Sequence, residues 1–138
     1  MIICGFPGVG KTMVAKQTRW VDLESTPFEK QWALYANVAR HMNAHGYNVM
    51  VSTHKELLGQ FDQMEIPYTV VIPSPSDKEA YLSRYKMRGN TLEFIENVMN
   101  NWELWIDDIM DHKSKLRTVV VLPKDGCLAA YIQDMSQV

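Results

Sequence analysis

The residues best suited to chemistry are eight consecutive positions near the start of the chain. They match the phosphate-binding pattern G-x-x-x-x-G-K-[ST] and are Gly5, Phe6, Pro7, Gly8, Val9, Gly10, Lys11 and Thr12. Glycines let the backbone curl so that several N–H groups point at one anion. Lys11 would reach the β- and γ-phosphates of a nucleoside triphosphate, and the Thr12 hydroxyl would bind Mg²⁺.

The sequence on either side of this loop strengthens the interpretation. Residues 1–4 form a short apolar run that fits a buried strand, and residues 13–20 are free of Gly and Pro and compatible with a helix. The pattern is specific only between a strand and a helix, whose positive end would add to anion binding. A chance glycine turn is the alternative, and the agreement of pattern and context disfavours it.

Two carboxylates lie at the end of the second predicted strand, which covers residues 20–23. Alternation along the strand puts Asp22 and Glu24 on the same side, close to the Mg²⁺ that Thr12 would hold. Asp22 could order the water shell of the metal and act in catalysis, and Glu24 could hold an acceptor. The alternative is a solvated turn in which Ser25 caps the next helix.

The third predicted strand, residues 48–52, lacks the metal-ordering aspartate that many phosphate-loop proteins carry there. It ends in Ser52, and no carboxylate follows until Glu56, which favours Asp22 as the metal ligand. Ser52 lies where it could touch the metal, a water or the substrate. Trp32 and Tyr35 are the aromatic candidates for stacking on a base, although core packing is the favoured interpretation.

A predicted helix over residues 77–87 carries three candidate cations. Arg84 and Arg88 are four residues apart, so both guanidinium groups would project from one face. Two fixed cations suit a phosphoryl group in transfer, whose charge spreads over several oxygens. Lys78 could contact the substrate. A solvated basic face, partly balanced by neighbouring acidic residues, is the alternative.

The elements that would position these side chains alternate between strand-like and helical patterns. This alternation predicts an α/β protein with a five-stranded parallel sheet and helices on both faces, a three-layer sandwich in one domain over residues 1–138. Helices are expected over 13–20, 28–45, 55–64, 77–87 and 91–113, and the two remaining strands over 68–72 and 118–122. Ligands of such sheets bind outside the carboxyl ends of the strands, where the candidates above are found.

Composition narrows the function classes. The 138 residues carry a net charge of −2 without a basic tract, so nucleic acid is an unlikely partner. No apolar run approaches the roughly 20 residues of a membrane span, and a strand that begins at Met1 leaves no room for a signal peptide. Cys4 and Cys127 are expected to be buried in a reducing compartment. These features predict a cytoplasmic protein without a membrane partner.

Taken together, these motifs resemble a group of short phage-type ATP-binding proteins related to adenylate kinase and other nucleoside monophosphate kinases. The segments that carry the resemblance are the glycine-rich loop, Asp22-Leu23-Glu24-Ser25, Val51-Ser52-Thr53-His54-Lys55, Pro73, Lys78, Arg84, Arg88-Gly89-Asn90 and Asn101-Trp102. The resemblance covers most of the chain, up to about residue 105, and implies a host-cytoplasm location if the gene is phage-encoded.

The resemblance implies a five-stranded parallel sheet of P-loop kinase type with a short lid, here about residues 74–77, after the fourth strand. ATP, Mg²⁺ and transfer of the γ-phosphoryl to a nucleotide or related acceptor are implied with it. Arg84 and Arg88 resemble the lid arginines that clamp phosphates, and the turn around Lys124 falls where adenylate kinases hold adenine. The usual acceptor-phosphate arginine is missing unless Arg40 or Lys30 substitutes for it.

The favoured function is an ATP-dependent phosphotransferase acting on a small acceptor, most of all a (deoxy)nucleoside monophosphate. Within the enzymes, the alternative is a kinase of a small hydroxyl compound, in which Asp22 would serve as the base. A second class is a nucleotide-binding regulatory or sequestering protein without significant turnover. A polynucleotide 5′-kinase is disfavoured because the chain has no basic tract.

Overall fold

The computed structural model describes residues 1–17, 19–112 and 114–136 of the chain. Across these residues, five strands form one parallel sheet in the order β2-β3-β1-β4-β5. The strands are β1 (Ile2–Gly5), β2 (Trp20–Asp22), β3 (Asn48–Val51), β4 (Tyr68–Ile72) and β5 (Arg117–Val121). The α/β class and the five-stranded parallel sheet are thus confirmed.

The centre of the sheet is apolar on both faces. In β1 all four residues are buried, and Cys4 is paired with Val51 of β3 on one side and Val70 of β4 on the other. Strands covered on both faces read as continuous hydrophobic runs, which is why the sequence marks them so clearly. Because β1 is the central strand, the glycine-rich loop (residues 5–12), which begins at its end, lies at the middle of the row of carboxyl-terminal strand ends.

Six helices flank this sheet in the described part of the chain. They are α1 (Lys11–Val14), α2 (Trp32–Ala44), α3 (Lys55–Gln63), α4 (Lys78–Met87), α5 (Leu92–Asp111) and α6 (Leu128–Ser136). Helices α1 and α6 pack together, as do α2 and α3, and as do α4 and α5. Right-handed crossovers between parallel strands would place helices on both faces, so the arrangement is compatible with a three-layer sandwich.

The first helix differs from its prediction. Helix α1 covers only one turn, residues 11–14, instead of the expected 13–20. The chain turns at once, because Gln17 donates to the carbonyl of Val14, and Arg19 has a left-handed φ of 67° before β2 begins. Thr18, inside the expected helix, lies outside the described residues. So short a helix adds little dipole to the glycine-rich loop.

Two further helices are shorter than expected, and one helix was not predicted. Glu29 and Lys30 have left-handed φ values of 41° and 67°, so α2 starts only at Trp32, after a 3₁₀ turn at Thr26–Phe28. Helix α5 ends at Asp111, and Lys113 lies outside the described residues. Helix α6 was not expected from the sequence, because the pattern after the fifth strand is short.

The long helix α5 carries much of the aromatic core. Trp102 is buried and packs edge-on against Phe6 with ring centroids 5.3 Å apart, and its Nε1 donates to the carbonyl of Pro75 at 3.1 Å. Trp102 is therefore a core residue. Of the two cysteines, Cys4 is buried, whereas Cys127 is exposed, contrary to expectation, because it sits in the turn that leads into α6.

Among the described residues, no helix has the length and apolar character needed to cross a membrane.

Candidate functional site

The glycine-rich loop leaves the end of β1 and curls back on itself. Gly8 and Gly10 have φ values of 91° and 103°, in the left-handed region that favours glycine. A Cβ on Gly8 would lie 2.9 Å from the Tyr85 ring of α4. Position 8 therefore excludes a side chain for two reasons: its backbone conformation is strained for any other residue, and the space beside it is filled. The conformation of the loop thus requires glycine both at position 10, which the pattern specifies, and at position 8, which the pattern leaves open.

The loop presents unpaired amides to a cavity. Within the described part of the chain, no group accepts a hydrogen bond from the backbone N–H of Gly8, Gly10, Lys11 or Thr12, and all four residues line the same cavity. Converging N–H groups in such a loop form an anion-binding concavity. A phosphate group would satisfy several of these donors at once.

Lys11 adds the charge that an anion needs. Its Nζ donates to the carbonyl of Gly5 at 2.8 Å, which folds the side chain back across the loop. Burial lowers the pKa of the Lys11 ammonium, and the nearby Asp22 carboxylate opposes that shift. The ammonium is therefore held at the floor of the loop beside a counter-charge.

The cavity has a volume of about 1570 Å³ and opens at the carboxyl ends of the strands, extending between α3 and α5. Ten of the predicted site residues line it: Gly5, Pro7, Gly8, Gly10, Lys11, Thr12, Asp22, Glu24, Ser52 and Arg88. Parallel strands bring these residues together although they span more than half of the chain.

Asp22 ends β2 and faces the cavity across from Lys11. Its Oδ1 is buried and has no hydrogen-bond partner within the described residues. Burial raises the pKa of the Asp22 carboxyl, Lys11 lowers it, and Glu24 raises it again. A buried polar atom without a partner is uncommon and calls for an explanation, such as an ion or substrate that binds there.

Tyr35 connects the strand ends beside this carboxylate, a role that the sequence did not predict. Its hydroxyl donates to the carbonyl of Leu23 and accepts from the N–H of Ser52, so it links the ends of β2 and β3. Burial raises the pKa of Tyr35 to about 12, so the donor proton stays in place at neutral pH. The sequence makes Tyr35 a candidate for stacking on a base, with core packing favoured, and the structure shows its side chain buried at the cavity.

Ser52 and His54 form a pair at the end of β3, where the expected carboxylate is missing. The Ser52 Oγ lies 2.7 Å from the Nδ1 of His54, and both residues line the cavity. Burial lowers the pKa of His54, which favours the neutral ring. Trp32 does not line the cavity itself but packs on the His54 ring, with centroids 4.8 Å apart.

The remaining predicted site residues lie outside the cavity lining. Arg84 stands behind the glycine-rich loop, because its guanidinium donates to the carbonyls of Gly8 at 3.0 Å and Gly126 at 3.3 Å. Lys78 forms an ion pair with Glu103 of α5 at 2.9 Å. The others outside the lining are Val9, whose side chain is buried, and Lys124, which is exposed on the turn before α6.

The oxygen atoms at the cavity suit a hard cation, most of whose ligands are waters and substrate phosphates. No group of three His, Cys, Asp or Glu side chains arranged for a metal occurs among the described residues. Thr12 and Asp22 supply two oxygen donors to one cavity, and Asp22 offers a buried, unpartnered oxygen. Mg²⁺ commonly takes one or two carboxylates plus waters and substrate phosphates, so the residues present fit it.

The far end of the cavity is closed by a polar network that sequence reasoning also missed. The Asp62 Oδ1 accepts from the hydroxyls of Tyr68 and Ser114, both at 2.9 Å, while its Oδ2 pairs with His112 at 3.2 Å. Arg117 donates to the Tyr68 hydroxyl at 3.0 Å. Because all of these groups bond to one another, the network ties α3 to the starts of β4 and β5.

Comparisons with known proteins inform the fold only. The chain is similar in fold to a crystal structure of an uncharacterized protein from Eubacterium ventriosum, with a TM-score of 0.50 and 11% sequence identity over 99% of this chain and 95% of that chain. No protein-family model matches the chain, and no curated protein matches it.

Proposed function

We propose that this protein is an ATP-dependent phosphotransferase with a fold of P-loop kinase type, which moves the γ-phosphoryl group to a small acceptor. One observation carries the proposal. Four unpaired loop amides and the Lys11 ammonium line the same cavity as Asp22, whose buried oxygen has no partner among the described residues. Donors for a polyphosphate thus lie in one space with an acid that could serve a metal or an acceptor.

On the donor side, the loop amides would bind the phosphate oxygens, and Lys11 would exchange the Gly5 carbonyl for the β- and γ-phosphates. Arg88, which lines the cavity from the end of α4, would meet the γ-phosphoryl as its charge spreads during transfer. Mg²⁺, held through Thr12 and Asp22, would neutralise part of the phosphate charge. Catalysis would consist of positioning and charge stabilisation.

On the acceptor side, neither sequence candidate for the cation that an acceptor phosphate usually meets in such kinases lies at the cavity. Lys30 and Arg40, the two candidates between β2 and β3, do not line the cavity, and Arg40 donates instead to Asn37 at 2.7 Å. Glu24 and Glu56 line this side with Asp22. The acidic lining supports a neutral acceptor hydroxyl over an acceptor that is already anionic.

For a hydroxyl acceptor, this chain supplies the group that takes up the proton released in the transfer step. The acceptor oxygen forms a bond to the γ-phosphorus as the bond to the β,γ-bridging oxygen breaks, and the hydroxyl proton passes to the Asp22 carboxylate. A (deoxy)nucleoside monophosphate, which the family resemblance implies, would need no base. It would depend on Lys55, a cation at the start of α3 that does line the cavity.

A nucleotide-binding protein without significant turnover is the second candidate. The observation that favours it is the Ser52–His54 pair, which stands where many phosphate-loop proteins carry a metal-ordering carboxylate. Without that carboxylate the protein could bind ATP and release it unchanged.

An ADP-release assay across nucleoside monophosphates, nucleosides and small polyols tests these proposals. We expect ATP- and Mg²⁺-dependent ADP release that rises with one acceptor class, hydroxyl compounds first. Lys11→Ala should abolish it, whereas Lys16→Ala, an exposed lysine outside the cavity, should not change it. ATP binding without acceptor-dependent ADP release would overturn the enzyme proposal in favour of the binding protein.

A further inference from the structure

On the side of the glycine-rich loop that faces away from the cavity, the backbone carbonyls are hydrogen-bonded, whereas the amides that face the cavity are not. Three consecutive carbonyls each accept one hydrogen bond: Pro7 from the Tyr85 hydroxyl at 2.6 Å, Gly8 from Arg84 at 3.0 Å, and Val9 from the N–H of Leu128 at 2.8 Å. The donors come from α4 and from the start of α6. None of the three donor residues lines the cavity.

This bonding fixes the direction of the free amides. In a trans peptide, the C=O and the following N–H point to opposite sides, and no cis peptide occurs in the described part of the chain. With the Pro7 carbonyl held towards α4, the N–H of Gly8 must point away from α4. In the same way, holding the Val9 carbonyl turns the N–H of Gly10 to the cavity side.

Arg84 reaches further than the loop. The same guanidinium donates to the carbonyl of Gly126, in the turn before α6, and lies 4.4 Å from the centre of the Tyr81 ring. The buried carboxylate of Asp77, just before α4, accepts from the N–H of Asp125 in that turn at 2.8 Å. Helix α4 therefore sets the distance between the glycine-rich loop and the 123–126 turn.

We infer that Tyr85 and Arg84 are positioning residues. Tyr85 holds the Pro7 carbonyl so that the free N–H of Gly8 stays aimed at a phosphate, and Arg84 fixes the loop itself through the Gly8 carbonyl. The inference rests on the proposed function, because it assigns these residues to phosphate binding. It gives Arg84 a different role from a clamp on the phosphoryl group. Since neither side chain lines the cavity, their effect on a phosphate bound there would pass through the loop backbone.

The chain contains a matched control for Tyr85. Tyr81 lies one turn earlier on α4, is equally buried, and packs against the same loop glycine. Its hydroxyl, however, is buried without a hydrogen-bond partner among the described residues, and the Arg84 guanidinium lies over the face of its ring. Tyr81→Phe and Tyr85→Phe therefore remove the same atom, but only the second removes a bond to the loop.

The first measurement uses the full chain without ligand. Backbone ¹⁵N order parameters of Gly8 and Gly10 should be near the rigid value of about 0.85 in the parent protein and in Tyr81→Phe, and should fall towards about 0.6 in Tyr85→Phe. Arg84→Lys keeps the charge but cannot bridge two carbonyls with one planar fork, so it should loosen the loop as well. Unchanged order parameters in both Tyr85→Phe and Arg84→Lys would overturn the inference.

The second measurement is calorimetric binding of inorganic tripolyphosphate. Loss of one ordering hydrogen bond should weaken binding about fivefold in Tyr85→Phe and leave it unchanged in Tyr81→Phe. Equal affinities of these two variants would also contradict the inference. If the parent protein binds neither tripolyphosphate nor ATP, the proposed function fails, whereas the ligand-free order parameters still decide the positioning role.

Discussion

At the scale of single residues, Asp22 distinguishes a functional site from a structural one. Burial raises the pKa of its carboxyl, so the charged form is disfavoured in the fold, and Oδ1 has no partner among the described residues that would offset this. The unfavourable setting is expected where a carboxylate serves a metal or an acceptor hydroxyl.

We therefore predict that Asp22→Asn separates stability from activity. The melting temperature should stay the same or rise, because the uncharged amide suits the buried position better than a carboxylate. Acceptor-dependent ADP release should fall about a hundredfold or more, the usual cost of losing a general base. Thermal unfolding and the coupled assay measure the two effects, with Glu29→Gln, an exposed carboxylate outside the cavity, as the control. Loss of stability with full activity would contradict this role.

The sequence pattern identifies the loop residues, but not the hydrogen bonds by which Tyr85 supports the loop and Tyr35 supports the end of β2. Because the G-x-x-x-x-G-K-[ST] pattern is local, residues 5–12 can be assigned to the site from the amino-acid sequence alone. Tyr35 and Tyr85 act through hydroxyls that meet backbone carbonyls 12 and 78 positions away in the chain. Nothing in helical spacing tells such a tyrosine from one that only fills the core.

At the scale of elements, α4 shows that two residues of a correctly predicted helical segment can have different surroundings. Arg84 and Arg88 were expected to act together because they are four residues apart. In the structure Arg84 bonds behind the glycine-rich loop, while Arg88 follows the last residue of α4 and lines the cavity. The helix passes the edge of the loop between these two positions, and sequence spacing cannot reveal that.

Arg88 is thus the arginine predicted to meet the phosphoryl group. Arg88→Ala should reduce turnover by about a hundredfold with little change in ATP affinity, as for the loss of a donor that acts mainly in the transition state. Lys86→Ala, which removes an exposed cation of the same helix outside the cavity, should leave turnover near the parent value. Steady-state kinetics and calorimetry check both. An effect confined to ATP affinity would speak for simple retention of the nucleotide.

Helix ends were the least predictable elements, because left-handed residues other than glycine leave no sequence signal. After α3, Glu65 adopts a φ of 55° while the N–H of Ile66 donates to the carbonyl of Phe61 at 3.0 Å, closing the end of the helix. This position usually holds glycine. The same kind of residue shortened the predicted second helix at Glu29 and Lys30.

Glu65→Gly should accordingly increase the free energy of unfolding by about 1 kcal/mol, since glycine adopts the left-handed conformation without the steric cost of a Cβ. Glu65→Ala keeps the Cβ and should change stability by less than about 0.5 kcal/mol. Urea unfolding of the three proteins provides the comparison. Equal stability of the Gly and Ala variants would show that the left-handed conformation at this position has no measurable cost.

At the scale of the whole molecule, the alternation of elements predicted the parallel sheet, but not the order of its strands. That order places β3 between β1 and β2, so Ser52 comes next to the glycine-rich loop and Asp22 lies one strand further out. The cavity is thus built at the ends of three strands, with helices α1, α3 and α5 and the Arg88 side chain, just after α4, around it. A ligand there would contact segments from both halves of the chain.

Such a ligand should stabilise the molecule as one unit. At a free concentration of 100 times its dissociation constant, ATP with Mg²⁺ would add about 2.7 kcal/mol to the free energy of unfolding, which corresponds to a melting-temperature rise on the order of 10 °C. Adenosine, which lacks the phosphates, should give little shift, and Lys11→Ala should lose most of the ATP effect. Differential scanning calorimetry at several ATP concentrations measures this dependence. If millimolar ATP does not change the melting temperature, the glycine-rich loop is not a nucleotide site, and the ligand proposed for this parallel sheet is wrong.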